Sequence, residues 1–336
     1  MKKFFKILIT FIIIIIVAAF AVLYVVPMFE TAKKSEEAQP AWMKDIPDDT
    51  LICDINIPGT HDSASAYAML PFFSRCQYFY IGKQLTDGFR YLDIRLGAKN
   101  GELIFYHGFC ACQTGPWVWS GTLKLNDAIK EVYGFLKNDP SETVIFAVKM
   151  EQGSDTAEFQ KLLHECIDKD PEYWYLSDTL PVLGQCRGKI VLMRRYNDAL
   201  SLGKNSGIAI DWADQGDRAG GAPQNAVTFK QETYYLTVQD RYKYDNADKW
   251  TAFTAGLDQT SRRFDSDEMQ REIGLDFLST NGSAAYGHPY SHAKALNKKL
   301  FEIDLKDHKP YGRTHWVITD FSTSDIAKHI YEVNFR

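Results

Sequence analysis

Nine short runs rich in apolar and β-branched residues recur along the chain, and many of them are separated by segments with helical periodicity. The runs are nearly continuously hydrophobic, which is typical of parallel strands buried on both faces. They are LICDINI, FRYLDIRL, ELIFYH, TVIFAVK, KIVLMRR, GIAID, YYLTVQD, LDFLST and THWVITD. Such alternation over about 290 residues predicts an α/β fold of the (β/α)8 barrel type, with a doubly wound open sheet as the alternative.

Three intervening segments repeat apolar residues at helical spacing. In LNDAIKEVYGFLKND, the residues Leu125, Ile129, Val132 and Leu136 fall on one face, which predicts an amphipathic helix. TAEFQKLLHECI and PYSHAKALNKKLFEI have a similar pattern, and SDIAKHIYEV predicts a last helix at the end of the chain.

The first residues of the chain predict a membrane anchor. Ile7 to Val26 carries no charge and spans about 30 Å as a helix, enough to cross a bilayer. Three lysines precede it and favour a cytoplasmic N-terminus. The alternative is a cleaved signal peptide, but the run is longer than the usual apolar core and no A-x-A site follows. We expect a signal anchor over 1–28, a linker over 29–45 and one extracytoplasmic domain over 46–336.

Net charge and cysteine content indicate which binding functions and which disulfide or metal sites are expected. The net charge is −5 with both signs interspersed, so nucleic-acid binding is not expected. The six cysteines would face an oxidising compartment, where one or two disulfides can form. Cys110 and Cys112 lack the second Cys/His pair of a zinc site, so ordinary buried thiols or a disulfide are expected there.

Polar side chains stand at the C-terminal ends of the predicted strands. The ends of parallel barrel strands share one rim, so these side chains should converge on one pocket. Each alone is explained by a salt bridge or a cap, whereas the whole set predicts a site. The set is His61, Asp62, Arg95, His107, Lys149, Arg194, Arg195, Asp240 and Asp320.

These residue types predict phosphodiester chemistry. One imidazole can take a proton from an attacking hydroxyl while a second gives one to the leaving oxygen. An arginine can stabilise charge on the phosphate, and a carboxylate can hold an imidazole in its useful tautomer. Attack by an internal hydroxyl and metal-assisted hydrolysis both fit this inventory.

The motifs IPGTHDS, YLDIR, IFYHG, FLKNDPSETVIFAVKME, GKIVLMRRY, VQDRY and VITDF occur in this order over residues 50–325. In these motifs the chain resembles the bacterial phosphatidylinositol-specific phospholipase C family, the X-domain barrel. The resemblance implies a distorted (β/α)8 TIM-type barrel that cleaves phosphatidylinositol, and in some relatives glycosyl-phosphatidylinositol anchors. It also implies attack by the inositol 2-hydroxyl, giving diacylglycerol and a 1,2-cyclic inositol phosphate.

Residue roles follow from the resemblance. It implies that His61 is the general base with Asp320 as its partner, that His107 is the general acid assisted by Asp62, and that Arg95 contacts the phosphate. The inositol ring would be bound by Lys149, Arg195, Asp240 and Tyr242. Sequence does not decide between Arg194 and Arg195. His164, His288, His292 and His308 are interpreted as surface residues.

No cofactor and no metal are expected. In the calcium-dependent branches of the superfamily an acidic residue takes the place of Arg95, and a guanidinium would repel a divalent ion there. The competing functions are a metal-dependent glycerophosphodiester phosphodiesterase on a similar barrel and a non-catalytic, membrane-tethered lipid-binding barrel. The first would need several carboxylates near the histidines, and the second predicts loss of a histidine or of the arginine.

Apolar residues in two loops predict a membrane-binding rim. Phe72 and Phe73 lie in YAMLPFF, and Trp117 and Trp119 lie in GPWVWS. The alternative is that these rings pack beneath loops. The predicted partners are a phosphatidylinositol-type lipid substrate and the membrane surface.

Overall fold

The computed structural model describes residues 2–32, 39–216, 226–231, 233–261, 271–283, 287–308 and 315–335. Within these ranges the strands are β1 (Ile57–Thr60), β2 (Tyr91–Lys99), β3 (Glu102–His107), β4 (Cys110–Ala111), β5 (Val144–Gln152), β6 (Trp174–Tyr175), β7 (Ile190–Arg195), β8 (Ile208–Ala209), β9 (Val227–Lys230), β10 (Tyr235–Gln239), β11 (Glu272–Phe277) and β12 (His315–Thr319).

The N-terminal helix comprises α1 (Lys2–Phe20), a π-helical turn (Ala21–Val25) and α2 (Val26–Met28). The other α-helices are α3 (Pro71–Ser74), α4 (Ile81–Thr86), α5 (Leu125–Asn138), α6 (Thr156–Ile167), α7 (Leu183–Cys186), α8 (Asn246–Ser261), α9 (Pro289–Leu300) and α10 (Ser324–Tyr331). The predicted helices in LNDAIKEVYGFLKND, TAEFQKLLHECI, PYSHAKALNKKLFEI and SDIAKHIYEV correspond to α5, α6, α9 and α10.

Eight parallel strands lie side by side in the order β8-β7-β5-β2-β1-β12-β11-β10. The chain therefore runs around a curled sheet in sequence order and returns to its start, where β12 pairs with β1. In the described ranges no ladder joins β8 to β10, and antiparallel β9 covers the β10 edge. The result is the distorted (β/α)8 TIM-type barrel that the sequence predicts.

Side chains alternate between two cores along the central strands. Tyr91 on β2 and Ile145 on β5 point into the barrel core, whereas Leu92 and Phe146 point into the layer against α4, α5 and α6. Because strand side chains alternate with a period of two, every second residue continues to face inward at the C-terminal end. This alternation decides which polar residues reach the barrel mouth.

Two predicted strands differ from the observed ones. Most of LICDINI is not strand: Ile52–Asp54 forms a 3-10 turn, and β1 begins only at Ile57. Its apolar pattern reflects burial of Ile52 and Cys53, and burial alone does not specify extended backbone. β3 is antiparallel to β2 and not part of the parallel set, because Asn100 and Gly101 have φ of 53° and 74° and form a tight hairpin turn.

The N-terminal helix is long and apolar enough to cross a membrane, and its apolar window is not buried by the rest of the protein. The expected linker does not separate it fully from the barrel. Trp42 and Met43 lie in the barrel core, where Trp42 stacks on Tyr331 and its Nε1 donates to the carbonyl of Gly88 at 2.9 Å. The stretch over 42–45 therefore packs as part of the domain.

All six cysteines lie in the described part of the chain, are buried and carry free thiols. The disulfides that the compartment allows are not formed here, and Cys110 and Cys112 are ordinary buried thiols. Three histidines interpreted as surface residues, His164, His288 and His292, are instead half-buried.

Candidate active site

The loop after β1 places His61 at the barrel mouth. Gly59 allows this strand to pack closely, since a Cβ there would lie 2.9 Å from a ring atom of Tyr91 and 3.0 Å from Ile318. The backbone N–H of His61 donates to the carbonyl of Thr319 at 3.1 Å. The Gln77 amide donates to the carbonyls of both His61 and Thr319, at 2.7 and 3.0 Å. The ends of β1 and β12 are thus held together.

His61 is paired with Asp320 across these two strands. The Nδ1–H of His61 donates to Oδ1 of Asp320 at 2.8 Å, which leaves Nε2 directed into the pocket. Burial, the largest single effect, lowers the pKa of His61, but the charge and hydrogen bond of Asp320 together with the charge of Asp62 outweigh it, so the pKa is raised above its ordinary value. The geometry is that of an imidazole held in one tautomer by a buried carboxylate.

His107 faces His61 from the β2–β3 hairpin, with ring centroids 6.0 Å apart. The sequence predicts His107 at the end of a parallel strand, but it stands at the end of β3, which is antiparallel to β2. Its Nδ1–H donates to the carbonyl of Ser74 at 2.7 Å. Asp62 lies between the two rings, with Oδ2 3.4 Å from Nε2 of His61 and 3.5 Å from Nε2 of His107. Burial raises the pKa of Asp62.

Arg95 holds three carboxylates beside the imidazoles. Its Nε donates to Asp93 Oδ2 at 2.9 Å, and its Nη1 lies 3.3 Å from Asp62 Oδ2 and 3.8 Å from Glu151 Oε1. Burial raises the pKa of Asp93, but the positive charges of Arg95 and Arg195 outweigh this effect, so its net pKa lies well below the usual range. Asp93 is therefore ionised beside a fixed cation.

A polar pocket of about 360 Å³ opens beside these groups. Lys149 lies on its wall with Nζ 2.6 Å from Glu151 Oε2. Burial raises the pKa of Glu151, and Arg95 together with Lys149 lowers it to a net value below the ordinary one. The pocket is also lined by His61, Arg95, His107, Gly108, Arg195, Asp211, Trp212, Asp214, Asp240, Tyr242, Ser279, Thr280 and Asn281.

Arg195 lines the pocket, whereas Arg194 points the other way. The Arg195 guanidinium lies 3.5 Å from the ring centroid of Trp212, and Trp212 Nε1 donates to Asp240 Oδ2 at 3.3 Å. Arg194 instead donates to Ser206 Oγ at 3.2 Å and to the carbonyl of Tyr196. The period of two along β7 gives the reason, because Arg195 follows the inward-facing Met193.

Tyr242 also lines the polar pocket, where its hydroxyl donates to Asp214 Oδ1 at 2.8 Å. Burial and the Asp214 carboxylate raise the pKa of Tyr242.

Sequence reasoning missed several lining residues, including Glu151, Trp212, Asp214 and Asn281. Glu151 was detectable, since it stands two positions after Lys149 on the same face. The others follow strand runs but sit in loops whose direction only the fold determines.

The four residues predicted for the membrane interface differ in solvent exposure and in packing. Trp117 and Trp119 are stacked on each other at 5.3 Å and are 47% and 74% exposed, so they do not pack beneath loops. Phe73 is exposed, but Phe72 is half-buried and stacks on His288 at 4.0 Å. Phe109, which sequence reasoning missed, is 75% exposed next to His107 on the same rim.

One cluster in the described ranges has ligand atoms close enough to hold a metal ion. His61, Asp62 and Cys76 each offer one such atom, all within 4.8 Å of one another. Arg95 does not fit such a centre, because its Nη1 already lies 3.3 Å from the Asp62 oxygen. A permanently cationic guanidinium at that distance disfavours a divalent ion.

Comparison with known proteins finds similar sequences and structures over most of the chain. Residues 55–196 match the family model described as phosphatidylinositol-specific phospholipase C, X domain. The chain is 28% identical over 318 residues to the 1-phosphatidylinositol phosphodiesterase of Listeria monocytogenes, which covers 90% of this chain and 87% of that protein. It is 26% identical over 299 residues to the enzyme of the same name from Staphylococcus aureus, covering 84% and 88%.

A solved structure is similar over the same region. The phosphatidylinositol-specific phospholipase C from Listeria monocytogenes matches with a TM-score of 0.65 and 26% identity, covering 88% of this chain and 99% of that one. Over residues 55–196 the chain is therefore similar to the phosphatidylinositol-specific phospholipase C X domain. The proteins that it resembles over most of its length are bacterial enzymes.

The His61–Asp320 pair predicts a measurable titration. Asp320→Asn should lower the pKa of His61, because it removes the charge that raises this pKa while burial continues to lower it. Imidazole shifts followed by NMR against pH would show His61 titrating above about 6.5 in the wild type and lower in the variant. Asp127→Asn, at an exposed site on α5, is the matched control. An unchanged or raised His61 pKa in Asp320→Asn would contradict the assignment.

Proposed function

We propose that this protein is a metal-independent phosphatidylinositol-specific phospholipase C that yields diacylglycerol and 1,2-cyclic inositol phosphate. The observation that carries the proposal is the pair of imidazoles, 6.0 Å apart, with the Asp62 carboxylate between them and the Arg95 guanidinium alongside. The family and the names of the bacterial relatives support the same reaction.

The hydrogen bonds assign a role to each imidazole nitrogen. His61 Nδ1 is occupied by Asp320, so Nε2 takes the proton from the inositol 2-hydroxyl as its oxygen attacks phosphorus. His107 Nδ1 is occupied by the Ser74 carbonyl, so Nε2–H gives a proton to the glycerol oxygen as the bond from that oxygen to phosphorus breaks. One proton passes from the inositol hydroxyl to His61 and one passes from His107 to the glycerol oxygen, so the step consumes no water. Loss of a proton from His61 to solvent and uptake of one by His107 then restore both imidazoles.

The remaining groups stabilise the substrate. Arg95 supplies fixed donors to the phosphate oxygens, where negative charge increases in the transition state. Lys149, Arg195, Asp240 and Tyr242 supply both donors and acceptors around the pocket, as inositol hydroxyls require. The silent lipid-binding barrel predicts loss of a histidine or of the arginine, and the described site keeps all three. The glycerophosphodiesterase needs carboxylates that can bind a metal ion, whereas Asp62, Asp93 and Glu151 are paired with Arg95.

The first experiment tests the reaction itself. His61→Leu should reduce turnover of phosphatidylinositol by about 10²–10⁴-fold, because it removes the base while leaving the fold. Phosphorus NMR should show a cyclic phosphodiester as the first product of the wild type. His164→Leu, on α6 and outside the pocket, is the control and should keep near-wild-type turnover. Near-native turnover by His61→Leu would sink the assignment.

A second experiment concerns metal. Calcium favours six to eight oxygen ligands, and Arg95 takes the position where a cation would neutralise the phosphate. We expect full activity in excess EDTA and no gain from added calcium or magnesium. Activity that chelator abolishes and a divalent ion restores would favour the glycerophosphodiesterase instead.

The contacts of the N-terminal helix support an anchored, extracytoplasmic enzyme over a secreted one. Arg75 Nη1 donates to the carbonyl of Pro27 at 2.6 Å, and His288 Nε2 lies 2.7 Å from Glu30 Oε1. Cleavage that removed the helix together with Pro27 and Glu30 would abolish these contacts. The same contacts support an arrangement in which the barrel mouth lies beside the end of the helix.

This orientation predicts that the exposed rim aromatics enter the bilayer surface. In the domain without the helix, Phe73→Ser and Trp119→Ser should weaken binding to phosphatidylinositol vesicles in a flotation assay. Cleavage of a soluble inositol phosphodiester should barely change. Phe301→Ser, an exposed phenylalanine at the end of α9, is the control and should bind vesicles like the wild type. Equal losses on vesicles and on the soluble substrate would indicate that these rings are structural.

A further inference from the structure

A second, larger cavity lies between the end of the N-terminal helix and the rim. Its volume is about 400 Å³, which is within the range of small-molecule sites. Tyr24, Pro27 and Met28 form one wall, and Tyr67, Pro71 and Phe79 contribute to the other. We call it the helix–rim pocket. None of the catalytic residues lines it.

The helix–rim pocket lies at the level where the helix leaves the membrane. Tyr24 and Met28 are four residues apart, about 6 Å along the axis, and the uncharged run ends at Val26. The first charged residue after it is Glu30, which contacts His288 on the barrel. At this depth the neighbouring molecules are lipids, with their glycerol backbones and the upper part of their acyl chains.

The rim wall of the pocket is the same segment that orients the catalytic histidines. Within residues 66–79, the carbonyl of Ser74 accepts from His107, and Gln77 donates to the carbonyl of His61. One side of this segment therefore faces the reaction, and the other side lines the helix–rim pocket. His107 protonates the leaving oxygen, so the lipid portion leaves on its side of the site.

The side chains that line the helix–rim pocket favour an apolar ligand. The charged side chain in the lining, Arg75, is already engaged with the carbonyls of Pro27 and Gln77, so it offers little to a polar head group. Aromatic, proline, alanine and methionine side chains make up most of the rest. A hydrocarbon chain gains free energy in such a lining, whereas a sugar or a phosphate would lose its hydration there.

We propose that the helix–rim pocket binds the upper part of an acyl chain of the phosphatidylinositol substrate and of the diacylglycerol that leaves. The inference rests on the proposed function and adds a lipid-tail site, to which the enzyme's own membrane helix contributes a wall. Substrate selection then involves both ends of the lipid, the inositol in the polar pocket and a chain beside the helix.

Filling the pocket tests the proposal. Ala32 lines it from the segment after the helix, so Ala32→Trp would occupy space that the chain needs. The full-length protein is reconstituted into phosphatidylcholine vesicles, which keeps membrane attachment constant. Two substrates are compared, phosphatidylinositol in the same vesicles and glycerophosphoinositol, which has no acyl chains. Ala157→Trp, at an exposed site on α6, is the matched control.

We expect Ala32→Trp to lower the ratio of kcat/KM for phosphatidylinositol to that for glycerophosphoinositol by about tenfold, the loss for about two displaced methylenes. Ala157→Trp should leave the ratio unchanged. Equal losses on the two substrates would overturn the tail site while the phospholipase function stands. A wild-type protein that cleaves neither substrate would overturn the function and the tail site with it.

Cross-linking gives a readout independent of turnover. Phosphatidylinositol with a diazirine near the glycerol end of one acyl chain should label residues 66–79 in the wild type and in Ala157→Trp. The label should be lost from this segment in Ala32→Trp. Labelling confined to the apolar helix over 7–20, or labelling of 66–79 that Ala32→Trp leaves intact, would overturn the proposal.

Discussion

The buried guanidinium of Arg95 is the interaction on which the site depends. It contacts Asp62, Asp93 and Glu151, and two of these carboxylates hold a further group: Asp93 accepts from the backbone N–H of Asp62, and Glu151 accepts from that of Gly108. Removing one partner of a buried ion pair typically costs about 3–5 kcal/mol, because a charge is left uncompensated. The imidazole side and the inositol side of the pocket are therefore parts of one charged network.

Closure of the barrel brings His61 together with Asp320. β1 pairs with β12 along the whole of β1, so these two residues meet although they are far apart in sequence. The β2–β3 hairpin supplies the second imidazole from above the same rim. Because the two histidines come from separately anchored elements, their separation is set by the packing of β1 against β2 and not by either loop alone.

The segment over 66–79 contacts both the N-terminal helix and the two histidines of the pocket. Its inner side fixes His107 through Ser74 and His61 through Gln77, and its outer side packs on the last turn of the N-terminal helix. The contacts of Arg75 and His288 with the helix end hold the helix beside this segment.

Local sequence determined the features that depend on local physics. Apolar spacing specified α5 and α6, and the uncharged run specified an apolar helix long enough to cross a membrane. Polar residues after buried strands predicted one site, and His61, Arg95 and Lys149 line one pocket, with Asp320 bonded to His61. Alternation along β7 could also have separated Arg195 from Arg194. Only the tertiary structure decided that β3 turns back to deliver His107, that loop residues such as Trp212 and Asp214 face the pocket, and that the helix end packs on the rim. Those features arise from contacts between segments distant in sequence, which no local pattern encodes.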